Sequence, residues 1–172
     1  SPPKLYDLTS LQREANRYFG FTAKKTLDLL QELYEEKLVT YPRTDSRFVT
    51  EDMIGTVEEL AEKMPLMLPF VEYGQLGHGV KRVVNNAKVS DHHAIFPTKE
   101  AVEKGISDLP SDKKNLMMLI CQQLVQATGE EYLYEQTDIT VNCQEHDFKA
   151  RGKMPVQMGF KEVEKAFKQL CV

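Results

Sequence analysis

The stretch VTYPRTDSR, residues 39–47, decides how this chain is read. Proline fixes its own φ and pushes the residue before it out of the helical region. Tyr41, directly before Pro42, is therefore expected in an extended segment with its ring projecting. Side chains two apart share a face in such a segment, which puts Tyr41 and Arg43 on one side. Thr44, Asp45 and Ser46 bring no apolar group to bury. Short polar side chains of this kind bond neighbouring backbone and hold a segment still.

A phenol beside a guanidinium suits chemistry at a phosphate. A free tyrosine has a pKa of about 10, so roughly one in a thousand is phenolate at pH 7. A fixed cation favours the phenolate, binds the non-bridging oxygens of a phosphodiester and stabilises the charge that develops during attack. The pattern reads as a nucleophilic Tyr41 forming a phosphotyrosine with Arg43 in support. Thr44, Asp45 and Ser46 would keep both aimed, and Arg47 is a second candidate phosphate contact. The plainer alternative is a tyrosine packed on a surface groove beside an Arg43–Asp45 ion pair.

A second polar concentration, KVSDHHAIFPT, spans residues 88–98. Adjacent histidines in an extended segment cannot face the same side, so His92 and His93 cannot both serve one site. Imidazole can donate to a phosphate oxygen or carry a proton near neutrality. Asp91 could orient one ring, and Lys81, Arg82 and Lys88 make the region locally basic. A metal site is a weak rival, because only His78 and His146 remain and neither has ligand spacing.

Around these motifs the chain is that of a soluble globular protein. Its 172 residues are 41% hydrophobic and 28% charged, enough for one domain with a core, or one domain and part of another. No apolar run is long enough to span a bilayer, and no secretory signal pattern occurs. The net charge of −4 argues against a free-standing DNA binder held mainly by phosphate contacts. Cys121, Cys143 and Cys171 form no CxxC pair, which disfavours a zinc site or a disulfide framework and fits a reducing cytoplasm. The start Ser1-Pro2-Pro3 suggests an excised fragment.

Periodicity predicts a helix over residues 9–19, with a Thr9–Gln12 capping box, an apolar face of Leu11, Ala15, Tyr18 and Phe19, and Gly20 as its stop. Thr22 caps a second helix whose apolar series runs Ala23, Leu27, Leu30, Tyr34 and Leu38, completing a helix-turn-helix-like pair. A third helix starts at Thr50 and ends at Pro65, with Met53, Ile54, Val57, Leu60, Ala61 and Met64 inward. Residues 66–98, holding Gly74, Gly77 and Gly79, read as irregular. Ser111 caps a fourth helix to about Ala127, with Leu116, Leu119, Ile120 and Leu124 inward. Ile139, Val141 and Cys143 then alternate with polar residues as in a strand, and Phe148, Ala150 and Gly152 suggest its return. A lone hairpin is marginal in water, so residues 132–172 are taken as part of a larger sheet.

At this point the residues carry a resemblance. LTSLQREANRYFGFTAKKTLDLLQELYEEKLVTYPRTDSR resembles the active-site region of type IA DNA topoisomerases, bacterial topoisomerase III above all. SDHHAIFPT matches a second motif of that family at the expected distance, and FKARGKMPVQMGFKEV resembles the strand-rich stretch that follows. The resemblance places Tyr41 on the family's nucleophile, which forms a 5′-phosphotyrosine with single-stranded DNA, and Arg43 on the arginine beside it. His92 takes the histidine of His-x-Ala-Ile-x-Pro-Thr, while Arg47, Lys88, Ser90 and His93 are expected as DNA contacts.

The fold it implies is α+β and mainly helical. A CAP-like, winged-helix-type domain over residues 1–131 would present Tyr41, followed by a partial strand-rich gate domain over 132–172. The family's TOPRIM domain, with its acidic cluster and Mg²⁺, has no counterpart here, and no Asp-x-Asp metal motif occurs. The expectation is ATP-independent strand cleavage, passage and resealing by an intact cytoplasmic enzyme acting on nucleoid DNA. Mg²⁺ and the remaining domains of the same polypeptide would be its cofactor and partners, no membrane is involved, and this piece alone would be inactive. A winged-helix regulator without enzymatic activity is the alternative, opposed by Asp28, Glu32, Glu35 and Glu36 on the second helix. A tyrosine recombinase would need several more arginines and histidines around its tyrosine.

Overall fold

The computed structural model describes residues 1–71 and 78–171. Gly74 and Gly77 lie outside the described residues, and so does the side chain of Cys171. The described elements are α1 (Leu8–Phe19), α2 (Ala23–Glu35), α3 (Ile54–Lys63), α4 (Lys99–Lys104), α5 (Ser111–Thr128), β1 (Leu133–Cys143), β2 (His146–Gln157) and α6 (Phe160–Cys171). The chain is α+β, with a two-stranded antiparallel sheet beside a helical body.

The first two helices stand where periodicity put them, with local differences. The capping box of α1 is built by Asp7 and Ser10 rather than Thr9 and Gln12. Asp7 lies where the backbone is still extended, so its carboxylate can reach back to the Ser10 N–H at 2.7 Å. Gln12 instead donates to the Ala23 carbonyl at 3.0 Å and ties α1 to α2. Thr22 caps α2 as expected, accepting from the Lys25 N–H.

The end of α2 sets up the motif that follows. Lys37 turns left-handed at φ 63°, its N–H bonds the Tyr34 carbonyl, and the Leu38 N–H bonds the Leu33 carbonyl. This paired closure satisfies the last carbonyls and throws the chain off the helix axis. Leu38 is therefore past the helix, and the buried face is Thr26, Leu30 and Leu33, with Tyr34 39% exposed.

α3 follows a 3₁₀ turn at Glu51–Met53. Thr50 makes no side-chain cap there; the Asn86 amide oxygen accepts from the Glu51 N–H at 2.9 Å. α5 is the centre of the body. Leu116, Leu119, Ile120 and Leu124 are inward as expected, but burial continues without a break from Leu119 to Gly129. A helix buried on all sides needs neighbours on all sides, and α1, α2, α3 and α6 all pack on it. Its cap is Pro110, with Ser111 already helical. The short helix α4, capped by Thr98, carries no reading in the sequence analysis.

The late strands are longer than the alternation suggested. β1 and β2 pair from Leu133↔Gln157 to Cys143↔His146, closed by Gln144 and Glu145, both at positive φ. One face carries Ile139, Val141, Phe148 and Met154, all more than half exposed. The other is polar, with Arg151 paired to Asp138 at 2.6 Å. Residues 160–171, expected within the strand-rich stretch, form helix α6 instead. Val163 and Phe167 return to the main core, where Phe167 meets Tyr18 edge-on at 5.4 Å. No described helix is long and apolar enough to cross a membrane.

Candidate active site

Three isolated bridges organise the motif: Tyr6↔Ile95, Val39↔Pro97 and Val49↔Val84. Two of them splice the HHAIFPT segment between the chain start and the YPRTDSR segment. The Thr40 N–H bonds the Phe96 carbonyl at 3.1 Å, and the Thr98 N–H bonds the Leu38 carbonyl at 3.1 Å. Thr40 adds a side-chain clamp, donating to the Ala94 carbonyl and accepting from the Phe96 N–H, both at 3.1 Å. These bonds join residues more than fifty positions apart. They deliver His92 to Tyr41.

Tyr41 is half-buried, and its ring stacks on His92 with centroids 4.0 Å apart and planes 27° apart. Tyr34 of α2 meets the same phenol edge-on at 5.5 Å. Pro42 is buried and anchors the turn between Tyr41 and the exposed Arg43. Arg43 makes no hydrogen bond or ion pair among the described residues, so the alternative Arg43–Asp45 bridge is not formed. Arg43, Asp45, Ser90, Asp91 and His92 border one open concavity of about 450 Å³, closed on one side by the first residues of α1. His92 is the shared wall: it carries the phenol ring and faces the same hollow as the guanidinium.

Of the three polar residues after Arg43, Thr44 and Ser46 bond backbone groups of the neighbouring segment, whereas Asp45 makes no such bond among the described residues. Thr44, 7% exposed, donates to the His92 carbonyl at 3.2 Å and accepts from the Ser46 N–H at 3.1 Å. Ser46 donates to the Lys88 carbonyl at 2.7 Å and accepts from the Phe48 N–H at 3.2 Å. Two hydroxyls thus pin the tyrosine segment to the histidine segment, while Asp45 stays exposed in the concavity.

The expected DNA contacts separate into two groups. Ser90 borders the concavity, and Lys88 is exposed with its ammonium over the Phe48 ring at 5.1 Å. His93 is half-buried, stacked on Phe96 at 5.0 Å with Nδ1 2.8 Å from the Ala94 carbonyl. The opposite facing of adjacent side chains thus separates His93 from His92. Arg47 turns away from Arg43: its Nε donates to the Leu5 carbonyl at 3.1 Å, and it borders another hollow between α1 and α5.

Sequence reasoning missed Tyr34 as a neighbour of Tyr41 by placing it on the buried stripe of α2. Its position seven residues before Tyr41, across a left-handed helix end, was the available signal. Among the described residues no group of three or more His, Cys, Asp or Glu is placed to hold a metal ion. The carboxylate of Asp7 is committed to its helix cap, and Asp45 and Asp91 share their hollow with a guanidinium. The donors among the described residues do not fit Mg²⁺ by themselves. Among the described side chains the free cysteines are Cys121, buried, and Cys143, exposed, and burial pushes the Cys121 thiol up to about 12.

A family profile described as "DNA topoisomerase" matches residues 1–170. The chain is 43% identical over 169 residues to "DNA topoisomerase 3" of Bacillus subtilis (strain 168), covering 94% of this chain and 23% of that protein. The protein of the same name from Bacillus licheniformis is 43% identical over 167 residues, with the same coverage. The structure of full-length topoisomerase I from Thermotoga maritima superposes with a TM-score of 0.67 at 25% identity, over 96% of this chain and 27% of that one. The chain therefore spans about a quarter of the length of the relatives it matches. Two motifs brought into contact, a matching profile along nearly the whole chain and a shared fold lead to one conclusion: the chain belongs to the type IA DNA topoisomerase family.

Proposed function

We propose that this chain is the part of a type IA DNA topoisomerase that carries the nucleophilic tyrosine. The observation that carries the reading is the contact of Tyr41 with His92 beside an uncommitted Arg43. In the reaction, the Tyr41 phenolate attacks a backbone phosphorus of a single DNA strand. A bond forms from Tyr41 Oη to phosphorus, the bond from phosphorus to the 3′-oxygen breaks, and that oxygen takes a proton to become a free 3′-hydroxyl. The product is a 5′-phosphotyrosine. Arg43 binds the non-bridging oxygens and offsets their growing charge. His92 orients the phenol through the stack and supplies an N–H to the phosphate. Attack by the 3′-hydroxyl reverses each change and reseals the strand. The bond order is conserved throughout, so no ATP is consumed.

The cut strand is single-stranded, and Lys88, Ser90 and His93 are placed by this reading along it, with Thr44 and Ser46 as supports. Mg²⁺ would be held by a TOPRIM domain of the same polypeptide, in a bacterial cytoplasm. Residues 1–131 are read as the CAP-like, winged-helix-type domain and 132–172 as the start of the gate domain. The exposed apolar face of the hairpin supports a further packing partner there. The non-enzymatic regulator gains nothing from the acidic surface of α2, where Glu32 and Glu36 pair with Lys113.

The test is Tyr41→Phe in the intact enzyme. Loss of the covalent DNA adduct with DNA binding retained is the expected result; an unchanged adduct removes Tyr41 from the reaction. The 172-residue chain alone is expected neither to cleave nor to relax supercoiled plasmid.

A further inference from the structure

The second hollow, the one Arg47 faces, is unlike the rest of the surface. It has a volume of about 390 Å³ and lies between α1, α5 and α6. Its floor is made of three glutamines of α5, Gln122, Gln123 and Gln126, each no more than 6% exposed. Buried amides on a central helix need partners. Gln126 donates to Gln122, and Gln123 donates to the Lys4 carbonyl at 2.5 Å, so the amides are fixed in orientation.

The charges around this floor are unequal in how they are used. Both acids at the rim are already paired, Glu14 with Arg17 at 3.5 Å and Glu164 with Lys168 at 2.5 Å. Neither guanidinium has a carboxylate partner among the described residues. Among the described residues Arg47 spends only its Nε, on the Leu5 carbonyl, and Arg13 makes no hydrogen bond or ion pair. Two positive charges therefore face a polar hollow with their terminal N–H donors unspent. That arrangement suits an anion with several acceptor oxygens.

The hollow also lies in line with the Tyr41 site. Asp7, Leu8 and Thr9 close the Arg43 concavity, while Ser10, Arg13 and Glu14 border this one, one turn or about 5.4 Å further along α1. Arg43 and Arg47 are four residues apart in a non-helical segment, hence at most about 14 Å apart along the chain. At about 3.4 Å per stacked nucleotide, that is at most about four nucleotide steps on one strand.

We propose that the hollow bounded by Arg13 and Arg47 over the Gln122–Gln126 floor is a second phosphate site for the same DNA strand, reached from the Tyr41 site along α1. The inference rests on the reading of the protein as a DNA enzyme and adds a track to it. It gives Arg47 the role of a phosphate contact away from the chemistry, separate from that of Arg43.

The experiment uses this chain, isotope-labelled and followed by NMR, titrated with a short oligothymidylate and, separately, with inorganic phosphate. The oligonucleotide should move the side-chain N–H signals of Arg13 and Arg47 and the amide signals of Gln122 and Gln126, saturably. Arg13→Gln, at an exposed residue with no bond to lose among the described residues, should keep the melting temperature. It should weaken the oligonucleotide several-fold and reduce the slope of log K against log salt by about 0.7, one phosphate contact on a single strand. Signals that move only near Arg43, or an Arg13→Gln chain with unchanged affinity and slope, overturn the proposal. So does no binding at all, or equal shifts from inorganic phosphate at equal phosphate concentration, which marks an adventitious ion only. The readout is equilibrium binding and involves no adduct, so a failed Tyr41→Phe test would leave it standing and the converse holds too.

Discussion

Replacing Thr44 by valine tests whether the two motifs are held together by the bonds described above. Valine keeps the shape and removes one hydroxyl, which donates to the His92 carbonyl and accepts from the buried Ser46 N–H. The unpaired Ser46 N–H costs about 1–3 kcal/mol, and losing the bond to the partly exposed His92 carbonyl costs about 0.5–1.5 kcal/mol. The sum is about 1.5–4.5 kcal/mol, which for a chain of this size lowers Tm by about 3–18 °C. Urea unfolding should show a reduced midpoint at constant m-value. Asp45→Ala, one residue away, exposed and bonded to nothing among the described residues, should stay within about 0.5 kcal/mol. In the intact enzyme Thr44→Val should also slow adduct formation, because the carbonyl it releases belongs to the residue stacked on Tyr41. A Thr44→Val loss below about 0.5 kcal/mol would refute the claim that this hydroxyl joins the segments.

Gly159→Ala should destabilise the chain more than Gly20→Ala. Both glycines have positive φ, costing about 1–3 kcal/mol in an L-residue, but a Cβ at Gly159 would also lie 2.2 Å from the Glu131 carbonyl, whereas Gly20 faces open space. Comparing their denaturation midpoints decides it. A thiol reagent should modify Cys143 in the folded chain and spare Cys121 until unfolding, as read by peptide mass mapping. Because burial raises the Cys121 thiol from 9.0 to about 12, its contribution to stability is complete below about pH 9 and lost as pH rises toward 12. Cys121→Ala should flatten that alkaline limb. Hydrogen bonds from Lys63 and Lys99 hold the Glu59 carboxyl down to about 2. That contribution is present above about pH 4.5 and lost as pH falls toward 2, so Glu59→Gln should flatten the acid limb of Tm against pH.

Where the physics is local, the sequence was sufficient. Tyr-Pro-Arg at the end of a helix, the Thr22 cap, the left-handed Gly20 and the stripe of Val57, Leu60, Ala61 and Met64 depend on neighbours within a turn or two. Local propensity and period report such features directly. The motif residues themselves were legible for the same reason: a phenol, a guanidinium and short hydroxyls carry their chemistry in their identity. Helix α6 was legible too, in Phe160, Val163 and Phe167 at helical spacing, but the strands before it drew the reading toward a sheet. Tertiary structure alone decided which groups meet. His92 reaches Tyr41 through backbone bonds between residues 38–40 and 94–98. Arg47 parts from Arg43 because the Leu5 carbonyl claims its Nε. The glutamines of α5 are buried because four helices surround it. Hydrogen bonds across fifty residues and burial from all sides leave no period in a sequence, because their partners are chosen only when the chain closes on itself.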